Sequence, residues 1–198
     1  METVAYVVAL VTVMAVPAAG VVWLLVHPLI RRWRRVGPVG TYLVVGAAVV
    51  GVMCGIYLAR DPLLSVHFGV RAPFVCVGAV LFVTGSWIRV RVRRQLAPSV
   101  VLGLPEISPA VSGRLVTKGI YSRMRHPRYV GVGLGVAAMA FFTNYLALYL
   151  LAAAYVPMIY LIVLLEEREL VGRFGAAYLE YCETVPRFFP RVRAPRGG

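Results

Sequence analysis

The chain has 198 residues, of which 60% are hydrophobic and 15% charged, and its mean hydropathy is +0.79. This composition excludes an ordinary soluble domain, because the hydrophobic residues fall in blocks of about 17–25, the length that crosses a hydrocarbon core of roughly 30 Å. The net charge is +13, but the basic residues stand beside the apolar blocks, as in membrane flanks, so we expect no nucleic-acid partner.

The N-terminal half of the sequence predicts three transmembrane helices. They cover about residues 4–26, 39–59 and 73–92, and the first contains Pro17, which we expect to kink the helix and not to break it. No basic region precedes the first span and no small-residue cleavage site is present, so we expect a retained helix and not a removed signal peptide. Three glycines of the second span are expected to let another helix approach closely: Gly46, Gly51 and Gly55.

The C-terminal half predicts a helical hairpin between a long loop and a tail. The polar connection, residues 95–128, contains prolines at 98, 105 and 109, and a loop of this length is usually functional. The fourth span is expected to run from near Pro127 to near Phe142, which is short for a full crossing, and the fifth over about residues 145–165. We therefore expect an all-α integral membrane protein with about five transmembrane helices. Residues 1–94 would form a three-helix membrane region and residues 95–198 a second region, within one structural domain.

The distribution of basic residues predicts the orientation in the membrane. Nine Arg and Lys residues stand in residues 89–128 and four Arg in residues 31–35, whereas the turn after the fourth span has none. Because cytosolic loops carry the excess of basic residues, we expect a multi-pass protein of the cell membrane with its N-terminus outside. The long loop, the tail and any site between them would then be cytosolic. This orientation places residues 118–131 and the Glu166–Glu167 pair on the same side.

Residues 118–131 concentrate ionisable and aromatic side chains. Pro127 is pre-set for the first turn of a helix and disfavours helix at His126, so the fourth span is expected to begin here. Unpaired N–H groups and the positive end of the helix dipole would face the cytosol and stabilise an anionic group. Two interpretations stay open for Arg125 to Pro127. They form either a binding surface for a small polar molecule or a basic membrane flank.

Two carboxylates, Glu166 and Glu167, close the fifth span. Adjacent side chains on a helix point about 100° apart, so both cannot face one ligand atom. We expect one of them to bind a cationic group or an Arg of residues 118–131, and the other to hold the loop or face water.

Glycines and histidines give weaker indications. Gly131 and Gly135 have the GxxxG spacing, which predicts either close packing of two helices or space for a bound cofactor. His27 and His67 are lone and are expected to lie at the membrane interfaces. The histidines and cysteines lack the spacing of metal ligands, so we expect no metal site.

The motifs of the C-terminal region together resemble one family. They are Tyr121, the run from Arg125 to Gly131, a hydrophobic hairpin, Glu166–Glu167, and a tail with Phe174, Gly175, Tyr178, Tyr181, Val185 and Pro186. This pattern resembles the isoprenylcysteine carboxyl methyltransferases, membrane relatives of the phospholipid methyltransferases, over roughly residues 115–190. One departure is that the family often has Gly-Pro-Tyr where this chain has Gly119-Ile120-Tyr121.

The resemblance implies S-adenosyl-L-methionine as methyl donor and S-adenosylhomocysteine as product. The donor would bind in a cytosolic pocket formed by the loop before the fourth helix, the helix 4–5 hairpin and the C-terminal tail. The resemblance carries donor contacts onto Lys118, Gly119, Tyr121, Arg125, His126, Pro127, Tyr129, Gly131, Glu166 and Glu167. It implies a catalytic role for Glu167, and Arg173 or Arg187 are candidates to orient a carboxylate acceptor.

The implied activity is methyl transfer to a lipophilic small molecule or a lipid, with carboxyl O-methylation of an isoprenoid or prenylcysteine-like acid as the expected reaction. Aminophospholipids and small thiols stay open as acceptors, and the sequence does not predict an oligomeric state. Two alternatives also stay open: an NADPH-dependent membrane sterol or enone reductase, and a non-catalytic membrane scaffold.

Overall fold

The computed structural model describes residues 2–26, 28–96 and 114–190, without the side chains of residues 30, 31 and 34. Within these ranges every regular element is a helix. The α-helices are α1 (Glu2–Val26), α2 (Ile30–Leu58), α3 (Arg60–Leu63), α4 (Ala72–Arg93), α5 (Pro127–Thr143), α6 (Leu146–Phe174) and α7 (Ala176–Thr184), and a 3₁₀ turn covers Gly119–Ser122. The predictions for His27 and for the prolines at 98, 105 and 109 lie outside the described residues.

Four of the described helices are long and apolar enough to cross a membrane: α1, the Arg35–Leu58 part of α2, α4 and α6. Pro17 lies inside an unbroken α1, so the expectation that it does not break the helix is confirmed, whereas the kink stays a prediction. Helix α5 has 17 residues, which at a rise of 1.5 Å per residue gives about 26 Å, less than the hydrocarbon core. The prediction that this helix is short is confirmed, whereas the count of five full spans stays a prediction.

Helix α2 contains a break at Gly37. The backbone of Gly37 has φ 81° and ψ 169°, which a residue with a side chain rarely adopts, and Pro38 follows directly. The segment before the break is fixed to α1, because the indole N–H of Trp33 donates to the carbonyl of Leu25 at 2.9 Å. The short N-terminal part of α2 is therefore a separate turn between two candidate spans.

Helices α4 and α5 approach each other closely through glycines. A Cβ atom added to Gly85 would lie 2.9 Å from the carbonyl oxygen of Gly131, and one added to Gly131 would lie 3.1 Å from that of Gly85. At Gly135 an added Cβ would lie 2.6 Å from Nη1 of Arg89. Of the two interpretations of the GxxxG spacing, the structure shows close packing of helices.

The glycines of α2 behave differently. A Cβ added to Gly46, Gly51 or Gly55 would meet no atom of the described residues within 4 Å. The prediction that these glycines let another helix of this chain approach closely is wrong for the described part of the chain. Glycine spacing alone does not say which face of a helix its neighbours cover.

We expect Gly85→Val to destabilise the protein by about 1–3 kcal/mol, because the added atoms overlap the backbone of α5, which cannot move as a flexible side chain would. Thermal unfolding of the purified protein in detergent measures this effect. Gly51→Val is the matched control, since it adds the same atoms to a helix where space is open. Equal unfolding temperatures for the two variants would contradict the α4–α5 contact.

The connection between α5 and α6 fixes the direction of the helices. Asn144 ends α5 with φ 53°, its side-chain amide donates to the carbonyl of Gly69 at 2.7 Å, and its own carbonyl accepts from the N–H of Phe68 at 3.0 Å. The ring of His67 stacks on Tyr145 with centroids 4.3 Å apart. The α3–α4 linker and the α5–α6 turn therefore lie at one end of the bundle. The other end, which carries Arg125–Pro127 and Glu166–Glu167, is called the motif end below.

Candidate functional site

The tail of the chain binds the start of α5 through its backbone. The N–H of Arg125 donates to the carbonyl of Pro186 at 2.9 Å, and the N–H of His126 donates to that of Arg187 at 3.0 Å. Pro127 is the first residue of α5, and His126 precedes it with non-helical backbone angles. The predicted helix start is confirmed. Two of the N–H groups before the helix are satisfied by the tail, so they are not available to a ligand.

Glu167 is the centre of an ion network at the motif end. Its Oε1 accepts from Arg125 Nη2 at 2.9 Å and lies 3.1 Å from His126 Nε2, and its Oε2 accepts from Arg187 Nη2 at 2.7 Å. The side chains of Arg125 and Glu167 are only 9% and 12% exposed. The hydrogen bonds between Arg187 and Glu167 raise the pKa of Arg187 above its ordinary value. Glu167 therefore joins α6, the start of α5 and the tail.

Arg125 also holds the end of α7. Its Nη1 donates to the carbonyls of Cys182 at 2.9 Å and Val185 at 3.1 Å, which are among the carbonyls that a helix end leaves without partners. One guanidinium thus satisfies the last turn of a helix and the carboxylate of Glu167 together.

A cavity of about 110 Å³ lies at the motif end. Its lining includes six of the residues predicted as site residues: Tyr121, Arg125, His126, Tyr129, Glu166 and Arg173. The structure adds residues that were not in that set: Trp23, Leu96, Arg114, Leu115, Val116, Arg128, Leu170, Phe174, Tyr178 and Tyr181. Phe174, Tyr178 and Tyr181 are among the tail motifs on which the family resemblance was based, whereas nothing in the sequence singled out Trp23.

Three atoms of cavity-lining residues are buried without a hydrogen-bond partner among the described residues. They are Oε2 of Glu166, the hydroxyl of Tyr178 and Nε of Arg125. Oε2 of Glu166 lies 3.7 Å from Nδ1 of His126, beyond hydrogen-bond distance. Because buried polar atoms are nearly always paired, an acceptor and two donors left open around one cavity indicate a site for a polar ligand.

The tyrosines around the cavity are neutral hydrogen-bonding groups. The hydroxyl of Tyr181 donates to the backbone carbonyl of Tyr121 and so ties α7 to the 3₁₀ turn. Burial raises the pKa values of Tyr121, Tyr178 and Tyr181 far above their ordinary range. The hydroxyl groups therefore stay protonated at any physiological pH.

The remaining residues proposed from the sequence lie away from the cavity lining. Lys118 is exposed, Gly119 has φ 64° and packs against Gln95, and Pro127 and Gly131 serve the start and the packing of α5. Glu167 and Arg187 are bonded to each other. Arg173 lines the cavity but forms an ion pair with Glu169 at 3.3 Å. The motif end thus brings together part of the predicted set, and uses the rest to hold the helices and the tail in place.

Helices of membrane-spanning length, with a buried ion network and a cavity lined by charged and aromatic residues at one end, define a helical membrane protein with a candidate small-molecule site. The sequence profile of the phospholipid methyltransferase family matches residues 74–177, which is more than half of the chain. The chain belongs to this family. The resemblance drawn from the motifs is thereby confirmed, and the family indicates a membrane methyltransferase.

Two curated proteins are similar to part of this chain. The cobalt-zinc-cadmium resistance protein CzcN of Cupriavidus metallidurans is 39% identical over 92 residues, which is 44% of this chain and 42% of that protein. The nickel-cobalt-cadmium resistance protein NccN of Alcaligenes xylosoxydans xylosoxydans is 34% identical over 86 residues, 43% of this chain and 40% of that protein. The match spans less than half the length of either relative. No solved structure matches the chain.

Proposed function

We propose that this protein transfers a methyl group from S-adenosyl-L-methionine to a lipophilic acceptor at the motif end, with a carboxylate as the expected methyl-accepting group. Membership of the phospholipid methyltransferase family supports methyl transfer in general. The observation that carries the choice of donor is Oε2 of Glu166, a buried carboxylate oxygen without a partner among the described residues, in the wall of the cavity.

The residues around the cavity fit the functional groups of this donor. Its ammonium group matches the open oxygen of Glu166, and its carboxylate matches Arg125, whose Nε is free of protein partners in the described part of the chain. Its adenine and sulfonium are groups that aromatic side chains contact well, and Phe174 and Tyr178 supply them here. The cavity therefore offers each part of the donor a chemically suited neighbour.

The size of the cavity indicates that the site opens on binding. Pockets that hold small molecules usually measure about 300–1,000 Å³, whereas this cavity measures about 110 Å³. Part of its lining comes from Tyr178 and Tyr181 of α7 and from residues 114–116 and 121, and the hydrogen bond from Tyr181 to Tyr121 joins these two segments. We expect donor binding to displace one of these segments outward.

The bound donor supplies an electrophilic methyl group, which forms a bond with an electron pair of the acceptor as the carbon–sulfur bond breaks and its electrons stay on sulfur, giving S-adenosylhomocysteine. The tasks left to the protein are to position the two reactants and to exclude water. A carboxylate acceptor is already nucleophilic and needs no base, whereas an amine or thiol would need to lose a proton first. His126, 4% exposed and fixed by Glu167, is the nearest candidate for that base.

Ligand binding to the purified protein tests this proposal. We expect S-adenosylmethionine and S-adenosylhomocysteine to raise the unfolding temperature in detergent, since each would bind only the folded protein. NADPH is the comparison ligand, because the four arginines in the cavity lining would also suit the phosphates of a reductase cofactor. Stabilisation by NADPH alone would replace the methyltransferase proposal with the reductase, and stabilisation by none would favour a scaffold. If the donor binds, the protein is incubated with labelled S-adenosylmethionine and a total lipid extract, and the labelled product identifies the acceptor.

Two tyrosines of α7 give a matched pair of variants. Tyr178→Phe removes a hydroxyl without a partner among the described residues, so we expect unchanged thermal stability but weaker binding of S-adenosylhomocysteine, by about 1 kcal/mol. Tyr181→Phe removes the bond to the carbonyl of Tyr121 and should instead cost about 1 kcal/mol of stability. Unfolding curves with and without the ligand separate the two effects. Identical behaviour of the two variants would remove Tyr178 from the binding site.

A further inference from the structure

The cationic side chains of the cavity differ in whether they have a carboxylate partner. Arg125 is bonded to Glu167 at 2.9 Å, and Arg173 to Glu169 at 3.3 Å. Arg128 also lines the cavity but forms no ion pair with any carboxylate of the described residues. Arg114, the remaining arginine of the lining, is exposed at its edge. Arg128 is therefore the half-buried arginine of the lining that forms no ion pair with a carboxylate of the described residues.

Arg128 is held in place by an aromatic ring. Its guanidinium carbon lies 4.7 Å from the ring centroid of Trp23, which is within the range of a cation–π contact. Such a contact fixes the side chain but uses the face of the ring and not a hydrogen-bond acceptor, so the N–H donors of the guanidinium stay available. Both residues line the same cavity.

The position of this pair connects the cavity to the bilayer. Trp23 belongs to the last turn of α1, a helix long and apolar enough to span a membrane, and Arg128 is the second residue of α5. Tryptophan and arginine near the ends of such helices lie at the level of lipid head groups. An amphiphile with its chain in the bilayer would place its polar end here.

We propose that Arg128, stacked on Trp23, is the residue that binds the negatively charged group of the acceptor. This inference rests on the proposed function and assigns the side chain that selects the acceptor. Arg173 and Arg187, the residues proposed from the sequence to orient the acceptor, are less suited to this role, because each already has a carboxylate partner. A guanidinium binds carboxylate and phosphate oxygens through paired hydrogen bonds, so either group satisfies the site.

Equilibrium binding of four radiolabelled probes to the purified protein in a non-ionic detergent tests this inference. The probes have chains of equal length: myristate, tetradecyl phosphate, methyl myristate and tetradecylamine. We expect at least one anionic probe to bind about tenfold more tightly than the neutral ester and the amine, and Arg128→Gln to abolish this preference. Arg128→Lys should keep part of it, because the charge remains but the paired geometry is lost. Whichever of the two anionic probes binds more tightly, tetradecyl phosphate or myristate, identifies whether the site prefers a phosphate or a carboxylate.

Arg123→Gln is the matched control, since Arg123 is an exposed arginine in the same segment and does not line the cavity. This variant should keep the full preference. Binding of S-adenosylhomocysteine is measured on the same samples and should be equal in the wild type and in all three variants. If Arg128→Gln weakens the binding of S-adenosylhomocysteine and leaves the binding of the anionic probes unchanged, Arg128 belongs to the donor site and the inference is overturned.

The two proposals fail in different ways. An anionic preference that survives in Arg128→Gln, or that is absent from the wild type, overturns the inference while donor binding still supports the proposed function. Absence of S-adenosylhomocysteine binding to the wild type, with an anionic preference that depends on Arg128, contradicts the methyltransferase and leaves an anion site.

Discussion

Changing Glu167 to glutamine is expected to lower the free energy of unfolding by about 3–5 kcal/mol and to abolish methyl transfer with it. Arg125 is 9% exposed and its guanidinium would keep its charge without the carboxylate that compensates it. The same change removes the anchor of Arg187, and with it the attachment of the tail to α6. Thermal unfolding and methyl transfer, measured on the same detergent preparation, give both effects.

The control for this change is Glu183→Gln, at an exposed position on α7 where the loss of a charge should alter stability little. Coupling to Arg187→Gln distinguishes a network from separate contacts. If Glu167 stabilises the protein partly through Arg187, the double variant should lose less stability than the sum of the two single variants. Normal stability of Glu167→Gln together with lost methyl transfer would instead give Glu167 a direct role in the reaction, as first expected from the sequence.

Changing Glu166 to glutamine is expected to weaken the binding of S-adenosylhomocysteine by about 1.5–3 kcal/mol, which is roughly tenfold to more than a hundredfold. The reason is that Oε2 of Glu166 faces the cavity without a partner in the described ranges, so a ligand ammonium would lose its counter-charge. Stability should change little, because glutamine keeps a side-chain oxygen that accepts hydrogen bonds, and the imidazole of His126 is 3.7 Å from Oε2. Titration of the ligand into the purified variant measures the loss.

An exposed carboxylate of α7, Glu180, provides the comparison for this titration. Glu180→Gln removes the same charge from the protein without touching the cavity, so it should bind the ligand as the wild type does. A Glu166→Gln variant with wild-type affinity would show that the donor does not use this carboxylate. Equal losses in both variants would indicate a general effect of net charge.

Much of the arrangement was predictable because it follows from strong local signals. Pro127 can begin a helix but cannot continue one well, and this single residue fixed the start of α5. Alternation of apolar blocks and loops then required residues 118–131 and the Glu166–Glu167 pair to share one end of the bundle. The contacts of Arg125 and His126 with Glu167 confirm that placement. Which side of a membrane this end faces stays a prediction.

The sequence could not predict which of the two glutamates faces the cavity and which one forms the ion network. Their directions differ by about 100°, so the sequence required different roles for them, but the rotation of α6 about its axis decides which one faces the cavity. That rotation depends on packing along the whole helix, including the contact of Tyr155 with the backbone of α5. For the same reason glycine spacing could not name α4 as the helix that packs on Gly131, and its prediction of close approach failed for α2. Arg128 was not among the predicted site residues, because its proposed role depends on the ion pairs that Arg125 and Arg173 form and Arg128 lacks.

The backbone bonds from Arg125 and His126 to Pro186 and Arg187 have a consequence for biosynthesis. The spans of the N-terminal half can enter the membrane while the ribosome is still translating the rest of the protein. The motif end is complete only after the tail has been synthesised and has bonded to the start of α5. Insertion of the first spans and completion of the motif end are therefore separate events, and the second awaits nearly the last residues that the structure describes.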